Sequence, residues 1–284
     1  MDEKLCLVTG GTSGIGRASA LALAKRGARV IIAGRNEKRG ANVLQELRAL
    51  DETAEPRYIS ADLSTLDGMK RFVETFRRDH DRLDVLLNNA GAFFTKRELT
   101  RDGFERTFAL NHLGYFVVTN LLLDLLESTP GSRILSTSSD GHRMIKDMNW
   151  DDLQFEQSWP RMGWDAYCQS KLANVLFTYE LAQRLANKGS HVTANCMHPG
   201  FIRTRLGQND SRLRALGTSL VYMFAKKPEE AAKTAVYGAF SKDMEGVTGK
   251  YLTRSKVVRS SKATAIPEHW HRLWQISAEM TGVG

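Results

Sequence analysis

Short apolar runs alternate with stretches of helical periodicity through the first two thirds of the chain, the pattern of repeated β-α units around a parallel sheet. Strands are predicted at 5–9, 30–33, 57–60, 85–88, 133–137, 192–197 and 250–252. Each is short and mostly Val, Ile and Leu, as strands covered on both faces should be. Helices are predicted between them at about 15–26, 37–50, 66–80, 103–127, 165–187 and 228–241. A further helical stretch, 267–280, carries Trp270 and Trp274 one turn apart on one side. These elements predict an α/β fold: one doubly wound, Rossmann-type domain over residues 1–284, with a parallel sheet of about seven strands and helices on both faces. Two long connections, 140–164 and 201–227, do not fit a plain sheet, and such insertions are more often functional than accidental.

Composition narrows the partners. A chain of 284 residues with 42% apolar content can bury a sizeable single core. The 40 basic against 32 acidic residues leave a net charge of +8, but Lys and Arg are scattered in runs no longer than two or three. That scatter argues against nucleic acid, suits a phosphate-rich cofactor, and leaves peripheral membrane contact as a lesser alternative. Cys6, Cys168 and Cys196 lack metal-like spacing, and the seven histidines form no ligand cluster, so no metal is expected. An odd cysteine count points to a reducing, cytoplasmic compartment. The first strand begins near Lys4, which leaves no room for a signal peptide or N-terminal anchor. No apolar run reaches the ~18 residues that a membrane span needs.

The candidate chemistry begins at the first strand-to-helix turn, Thr9-Gly-Gly-Thr-Ser-Gly-Ile-Gly16. Gly10, Gly14 and Gly16 permit a tight turn and let backbone amides approach a pyrophosphate at the positive end of the helix, with Thr12, Ser13 and Ile15 completing the loop. A nucleoside-triphosphate loop would next require Lys and Ser or Thr, whereas Arg17 and Ala18 follow. The second strand ends Ala33-Gly34-Arg35, with no acid to take the ribose hydroxyls of NAD. Arg35, with Arg17 as a helper, suits a 2′-phosphate, so NADP(H) is expected over NAD(H).

Tyr167 and Lys171 lie one helical turn apart on one face. Their spacing alone is weak, since about one such pair is expected by chance in a chain of this length. A second pair, Tyr222 and Lys226, is indeed present. Order along the chain favours the first. A phenol near its ordinary pKa of ~10 is a weak acid, and a nearby ammonium favours its ionised form. Tyr167 would then serve as proton donor in carbonyl reduction and as base in alcohol oxidation. Ser138 and Ser139 follow the fifth strand, where open α/β sheets bind ligands, and either hydroxyl can hold a substrate oxygen. Asn111 interrupts an apolar helical stripe of Phe104, Phe108, Tyr115, Val118, Leu122 and Leu125, and a buried amide needs partners.

The phosphate turn, Asp62-Leu63, Asn88-Asn-Ala-Gly91, Asn111, Ser139, Tyr167-x-x-x-Lys171 and Pro199-Gly200 together resemble the short-chain dehydrogenases/reductases, over residues 5 to about 252. Leu110-Asn-His-Leu-Gly114 and Tyr167-Cys-Gln-Ser-Lys-Leu-Ala-Asn-Val-Leu-Phe177 are most similar to the retinol dehydrogenase-like branch. The resemblance implies a catalytic tetrad of Asn111, Ser139, Tyr167 and Lys171, with Ser139 preferred over Ser138. In it, Lys171 also holds the nicotinamide ribose, and Asn111 binds a water that links the site to Lys171. It further implies adenosine contacts at Asp62, Leu63, Asn89, Ala90 and Gly91, and carboxamide contacts at Pro199, Gly200, Ile202 and Thr204. Family members usually dimerise through the helix that carries Tyr167, which makes a homo-oligomer an expectation.

Phe93, Phe94, Met144, Met148, Phe201 and an apolar lid after Leu206, closed by Trp270 or Trp274, form a predicted wall for a bulky apolar aldehyde, ketone or alcohol. Retinal-like and steroid-like compounds fall in that class. The alternative function is an NADP(H)-binding sensor or interaction protein without turnover, against which all four catalytic positions are filled.

Overall fold

The computed structural model describes residues 4–51, 53–200 and 228–284. Its strands are β1 (Leu5–Thr9), β2 (Arg29–Gly34), β3 (Arg57–Ser60), β4 (Val85–Asn88), β5 (Arg133–Thr137), β6 (Thr193–His198), β7 (Tyr251–Thr253) and β8 (Lys256–Val258). They form an eight-stranded sheet in the order β3-β2-β1-β4-β5-β6-β7-β8. Neighbours are parallel except at the final β7–β8 hairpin. The strand order reverses between β1 and β4, and the crevice beyond the carboxyl ends of these two strands is where such a sheet takes its ligand.

The helices are α1 (Gly14–Ala24), α2 (Glu37–Arg48), α3 (Leu66–Asp79), α4 (Arg106–Phe108), α5 (Gly114–Leu121), α6 (Leu123–Glu127), α7 (Trp164–Asn187), α8 (Pro228–Phe240) and α9 (Pro267–Thr281). Alternation along each strand divides the apolar residues between two layers. Leu5 and Leu7 of β1 join the core under α3, α5 and α7, while Cys6 and Val8 join the one under α1, α2 and α8. Phe72, Phe76, Phe116 and Phe177 are fully buried in the first core, each contributing roughly 1.5–3 kcal/mol by burial. Side-chain caps start α2 and α3. Asn36 Oδ1 accepts the Arg39 N–H at 2.9 Å, and Thr65 Oγ1 accepts the Gly68 N–H at 3.1 Å.

The predicted helix 103–127 begins later than expected and is interrupted in two places. Glu105 accepts the Thr107 and Phe108 amides at 2.6 and 2.8 Å, which starts α4 at Arg106. A π-helical turn, Ala109–Leu113, then connects α4 to α5, and Leu122 separates α5 from α6. The last strand, β8, carries no apolar run buried on both faces and was absent from the predicted set. Segment 140–164 contains two 3₁₀ turns, Asp140–Arg143 and Pro160–Gly163. The lid segment 201–227, with Ile202, Thr204 and the second Tyr-Lys pair, lies outside the described residues.

Candidate active site and cofactor cleft

The glycine turn leaves β1 at Thr9 and enters α1 at Gly14. Gly10 and Gly14 have φ of +66° and +54°, which glycine adopts without strain. A Cβ on Gly10 would stand 2.8 Å from Ala90 Cα, and one on Gly16 would overlap the Gly10 carbonyl. The end of β4 braces this turn. The amides of Asn89 and Ala90 donate to Thr9 Oγ1 at 2.9 and 3.1 Å, and Asn89 Nδ2 donates to the Thr9 carbonyl at 3.0 Å. Thr12 packs over Gly34 at the tip of β2. Ser13 makes no side-chain cap, and the first turn of α1 contains no acidic residue. The amide-rich positive end around Gly14, Ile15 and Gly16 is therefore unneutralised from within its own helix, and it fits a pyrophosphate.

Beyond β2, Arg35 is exposed. Arg17, its expected helper, is instead clamped to Glu46 of α2 by two hydrogen bonds, with Nε to Oε1 at 3.0 Å. Asp62 accepts the Ser64 hydroxyl at 2.7 Å and amide at 3.1 Å. Burial pushes its carboxyl up, but the Ser64 contacts and the Arg35 and Arg106 charges together leave it below its ordinary value. The Leu63 side chain is part of the core beneath.

Ser139, Tyr167, Lys171 and Asn111 come from three different elements and meet at the carboxyl edge of β4 and β5. Ser139 follows β5, and its Oγ accepts the Gly141 N–H at 3.1 Å. A Cβ on Gly141 would lie 3.5 Å from Ser139 Oγ and 3.6 Å from Tyr167 Cε1, which places both groups around one point. Ser138 is turned away: its hydroxyl donates to the Lys171 carbonyl at 2.7 Å. Lys171 Nζ donates to the Thr137 carbonyl at 3.2 Å and stands 5.7 Å from the ring centres of both Tyr115 and Tyr167. Asn111, in the π turn, is a strut. Its Oδ1 accepts the Ala92 N–H at 2.8 Å, and its Nδ2 donates to the Ala92 carbonyl and to Ser170 Oγ, each at 2.9 Å. A Cβ on Gly91 would lie 3.1 Å from Asn111 Oδ1 and 3.3 Å from Lys171 Nζ, so those two polar ends flank the same backbone.

Burial dominates the electrostatics. It pushes the Tyr167 phenol up to about 12, against the opposing effect of the Ser139 hydroxyl. It also pushes the Lys171 ammonium down to about 8, and among the described residues no carboxylate offsets that. The expectation that Lys171 makes Tyr167 more acidic is not met by the chain's own groups, because both have left water.

The family profile described as short chain dehydrogenase matches residues 4–148. Polyprenol dehydrogenase of Homo sapiens is 39% identical over 286 residues, covering 99% of this chain and 86% of that protein. Retinol dehydrogenase 14 of Homo sapiens is 39% identical over 299 residues, covering 100% and 88%. The chain belongs to the short-chain dehydrogenase/reductase family. Among solved members, the Pseudomonas aeruginosa RhlG/NADP active-site complex superposes with a TM-score of 0.68 at 28% identity, covering 88% of this chain and 93% of that one.

In this short-chain dehydrogenase/reductase, Asn89, Ser139 and Pro199 follow the carboxyl ends of β4, β5 and β6. Pro199 and Gly200 follow β6 directly, Gly200 at φ +92°. The predicted substrate wall is only partly assembled. Phe93 meets the Tyr167 ring edge-on at 6.0 Å. Phe94 and Met148 are core residues, and Met144 is exposed. Neither C-terminal tryptophan stands beside the site. Trp274 stacks on Phe177 at 5.8 Å, ten residues or roughly 15 Å along α7 from Tyr167. Trp270 donates to the Thr264 carbonyl at 2.8 Å. Trp164 was missed. It stacks on Tyr167 at 5.4 Å, and its place three residues earlier on the same helix was the available signal. Among the described residues no His, Cys, Asp and Glu group is arranged to hold a metal ion. Among them, too, no helix is long and apolar enough to cross a membrane.

Proposed function

We propose that this oxidoreductase transfers hydride between NADP(H) and a bulky apolar carbonyl or alcohol, with Tyr167 as proton donor and acceptor. The observation that carries this reading is the convergence of Ser139, Tyr167 and Lys171 past the ends of β4 and β5, where Asn89 and Ala90 also brace the glycine turn. Bound NADPH supplies the hydride. The α1 amides of Gly14, Ile15 and Gly16, with Gly10, Thr12 and Ser13 around them, would hold its pyrophosphate, and Arg35 its 2′-phosphate. Asp62, Leu63, Asn89, Ala90 and Gly91 would border the adenosine, Lys171 the nicotinamide ribose, and Pro199 and Gly200 the carboxamide. The NADP complex of the Pseudomonas relative supports this preference.

At the reacting carbonyl, each side chain has a distinct task. Ser139 Oγ already accepts one amide hydrogen, which directs its own O–H toward the substrate oxygen. Tyr167 stays protonated at neutral pH, so it is poised to deliver a proton to that oxygen as negative charge develops there. Lys171 and Asn111 then form the inner end of a relay that restores the proton. Phe93 and Trp164 flank the phenol and give the adjoining wall its apolar character, which supports a lipophilic substrate. The polyprenol and retinol dehydrogenases among the relatives support the same class. Three free, buried cysteines accord with a cytoplasmic location, and assembly of copies through α7 belongs to the same reading.

The test is a panel of long apolar and small hydrophilic carbonyls followed by NADPH absorbance. Higher kcat/KM is expected for the apolar set, with kcat falling ~10²–10⁴-fold in Tyr167→Phe. Undiminished turnover in Tyr167→Phe would overturn the assignment.

A further inference from the structure

His142 is fully buried in the 3₁₀ turn three residues beyond Ser139 and has no part in the chemistry above. The nearest partners of its two ring nitrogens are of opposite and fixed kind, the Tyr251 hydroxyl standing farther off at 3.5 Å from Nδ1. Nδ1 lies 2.6 Å from the Ser139 carbonyl oxygen, which can only accept. Nε2 lies 3.1 Å from the Ser261 backbone N–H, which can only donate. One form satisfies both: the neutral imidazole with its proton on Nδ1. Burial pushes this ring down to about 4, against the opposing effect of the Ser139 carbonyl, while among its charged neighbours Arg143 and His198 add to the fall and Asp140 resists it. Tyr251 packs against it at 4.8 Å between ring centres, and Asp140 accepts the Tyr251 hydroxyl at 3.3 Å. Ser139 is thus held at its Oγ by the Gly141 amide and at its carbonyl by both the His142 amide, at 3.0 Å, and the His142 ring.

We infer that His142 is a positioning residue for Ser139, a latch between the end of β5 and the backbone at Ser261 that sets the angle at which the Ser139 hydroxyl meets the substrate oxygen. This rests on the roles proposed for Ser139 and Tyr167. A displacement of about 1 Å at a reacting group is enough to cost ~10²-fold in rate.

Three variants of the full chain separate latch from packing, with decanal reduction by NADPH as the assay. His142→Leu removes both ring contacts. His142→Asn keeps an N–H donor where Nδ1 sits. Ser261→Pro deletes the N–H that selects the tautomer, together with a hydroxyl that makes no hydrogen bond among the described residues, at a φ of −72° that proline accepts. The expected kcat loss is ~10- to 100-fold in His142→Leu and smaller in Ser261→Pro. Activity should return to within ~threefold of wild type in His142→Asn, with the NADPH Kd and the decanal KM little changed throughout. A long-range ¹H–¹⁵N spectrum should show His142 neutral and protonated at Nδ1 at pH 7. An unchanged kcat in His142→Leu, beside an inactive Tyr167→Phe, would overturn the latch alone. So would parallel losses of kcat and NADPH affinity in both His142 variants, which would mark a merely structural residue. If His142→Leu does not fold, an Nε2-protonated ring in the wild-type spectrum, or full activity in Ser261→Pro, would have the same force. Turnover surviving in Tyr167→Phe would instead sink the underlying reading and the latch with it.

Discussion

Replacing Lys171 by methionine keeps the length and flexibility of the side chain and removes a buried ammonium. The displacement of Lys171 from 10.5 to about 8 by burial corresponds to about 3 kcal/mol held against the folded state at pH 7, at about 1.4 kcal/mol per tenfold. The contacts of the ammonium with the Tyr115 and Tyr167 rings return about 1 kcal/mol of that. The Thr137 carbonyl is not orphaned in the variant, because Asn174 Nδ2 also donates to it at 3.2 Å. Lys171→Met is therefore expected to be about 2 kcal/mol more stable than wild type at pH 7 while losing activity. The sign with pH follows from proton counting. Between about 8 and 10.5 the unfolded lysine still holds a proton that the folded one has released, so wild-type stability rises across that window and the variant's advantage shrinks to near zero by about pH 10. Urea unfolding followed by circular dichroism at pH 7, 8.5 and 10 measures the difference. A variant less stable than wild type at pH 7, or a gain that does not decline with pH, would refute desolvation as the dominant influence on Lys171.

Trp274→Ala should cost ~3–5 kcal/mol of stability by removing the stack on Phe177 and the edge contact with Phe116, yet leave kcat/KM for apolar carbonyls within about threefold. A change of substrate preference would return this tryptophan to the pocket. Arg35→Ala should raise the Kd for NADPH ~10- to 100-fold, the worth of one charge-assisted contact, while NADH binding stays within about threefold. Equal NADPH affinity in the two proteins, by fluorescence titration, would remove Arg35 from the 2′-phosphate site.

Strands β1, β4 and β5 occupy the predicted residues because a strand buried along its whole length is a largely apolar run, a signal that needs no tertiary knowledge, and β3 does so although its ends are exposed. β8 escaped for the converse reason: Lys256 and Val257 are exposed and leave no such run. The helix around Asn111 was legible as apolar and helical, but an apolar stripe at 3.6 residues per turn barely differs over one turn from a π turn, so the irregularity was hidden. Residue spacing brought Tyr167 and Lys171 to one helix face, yet it could not convey the dielectric around them, and the direction of the Tyr167 shift was lost with it. His142 and Ser170 work through backbone carbonyls and a tertiary amide contact, which leave no mark in a one-dimensional pattern. Trp270 and Trp274 were correctly placed on a helix, but amphipathicity alone does not say which neighbour a helix will meet.

The widened turn at Ala109–Leu113 is in effect a one-residue insertion accommodated inside a helix. Excising one residue there would give a smoother, better hydrogen-bonded rod, and would also rotate everything upstream by about 100° relative to α5. Asn111 would then swing off Ala92 and Ser170, and the loop after β4 would lose its tie to the helix that bears the phenol. Attempts to stabilise this chain by regularising its helices should therefore leave that one blemish alone.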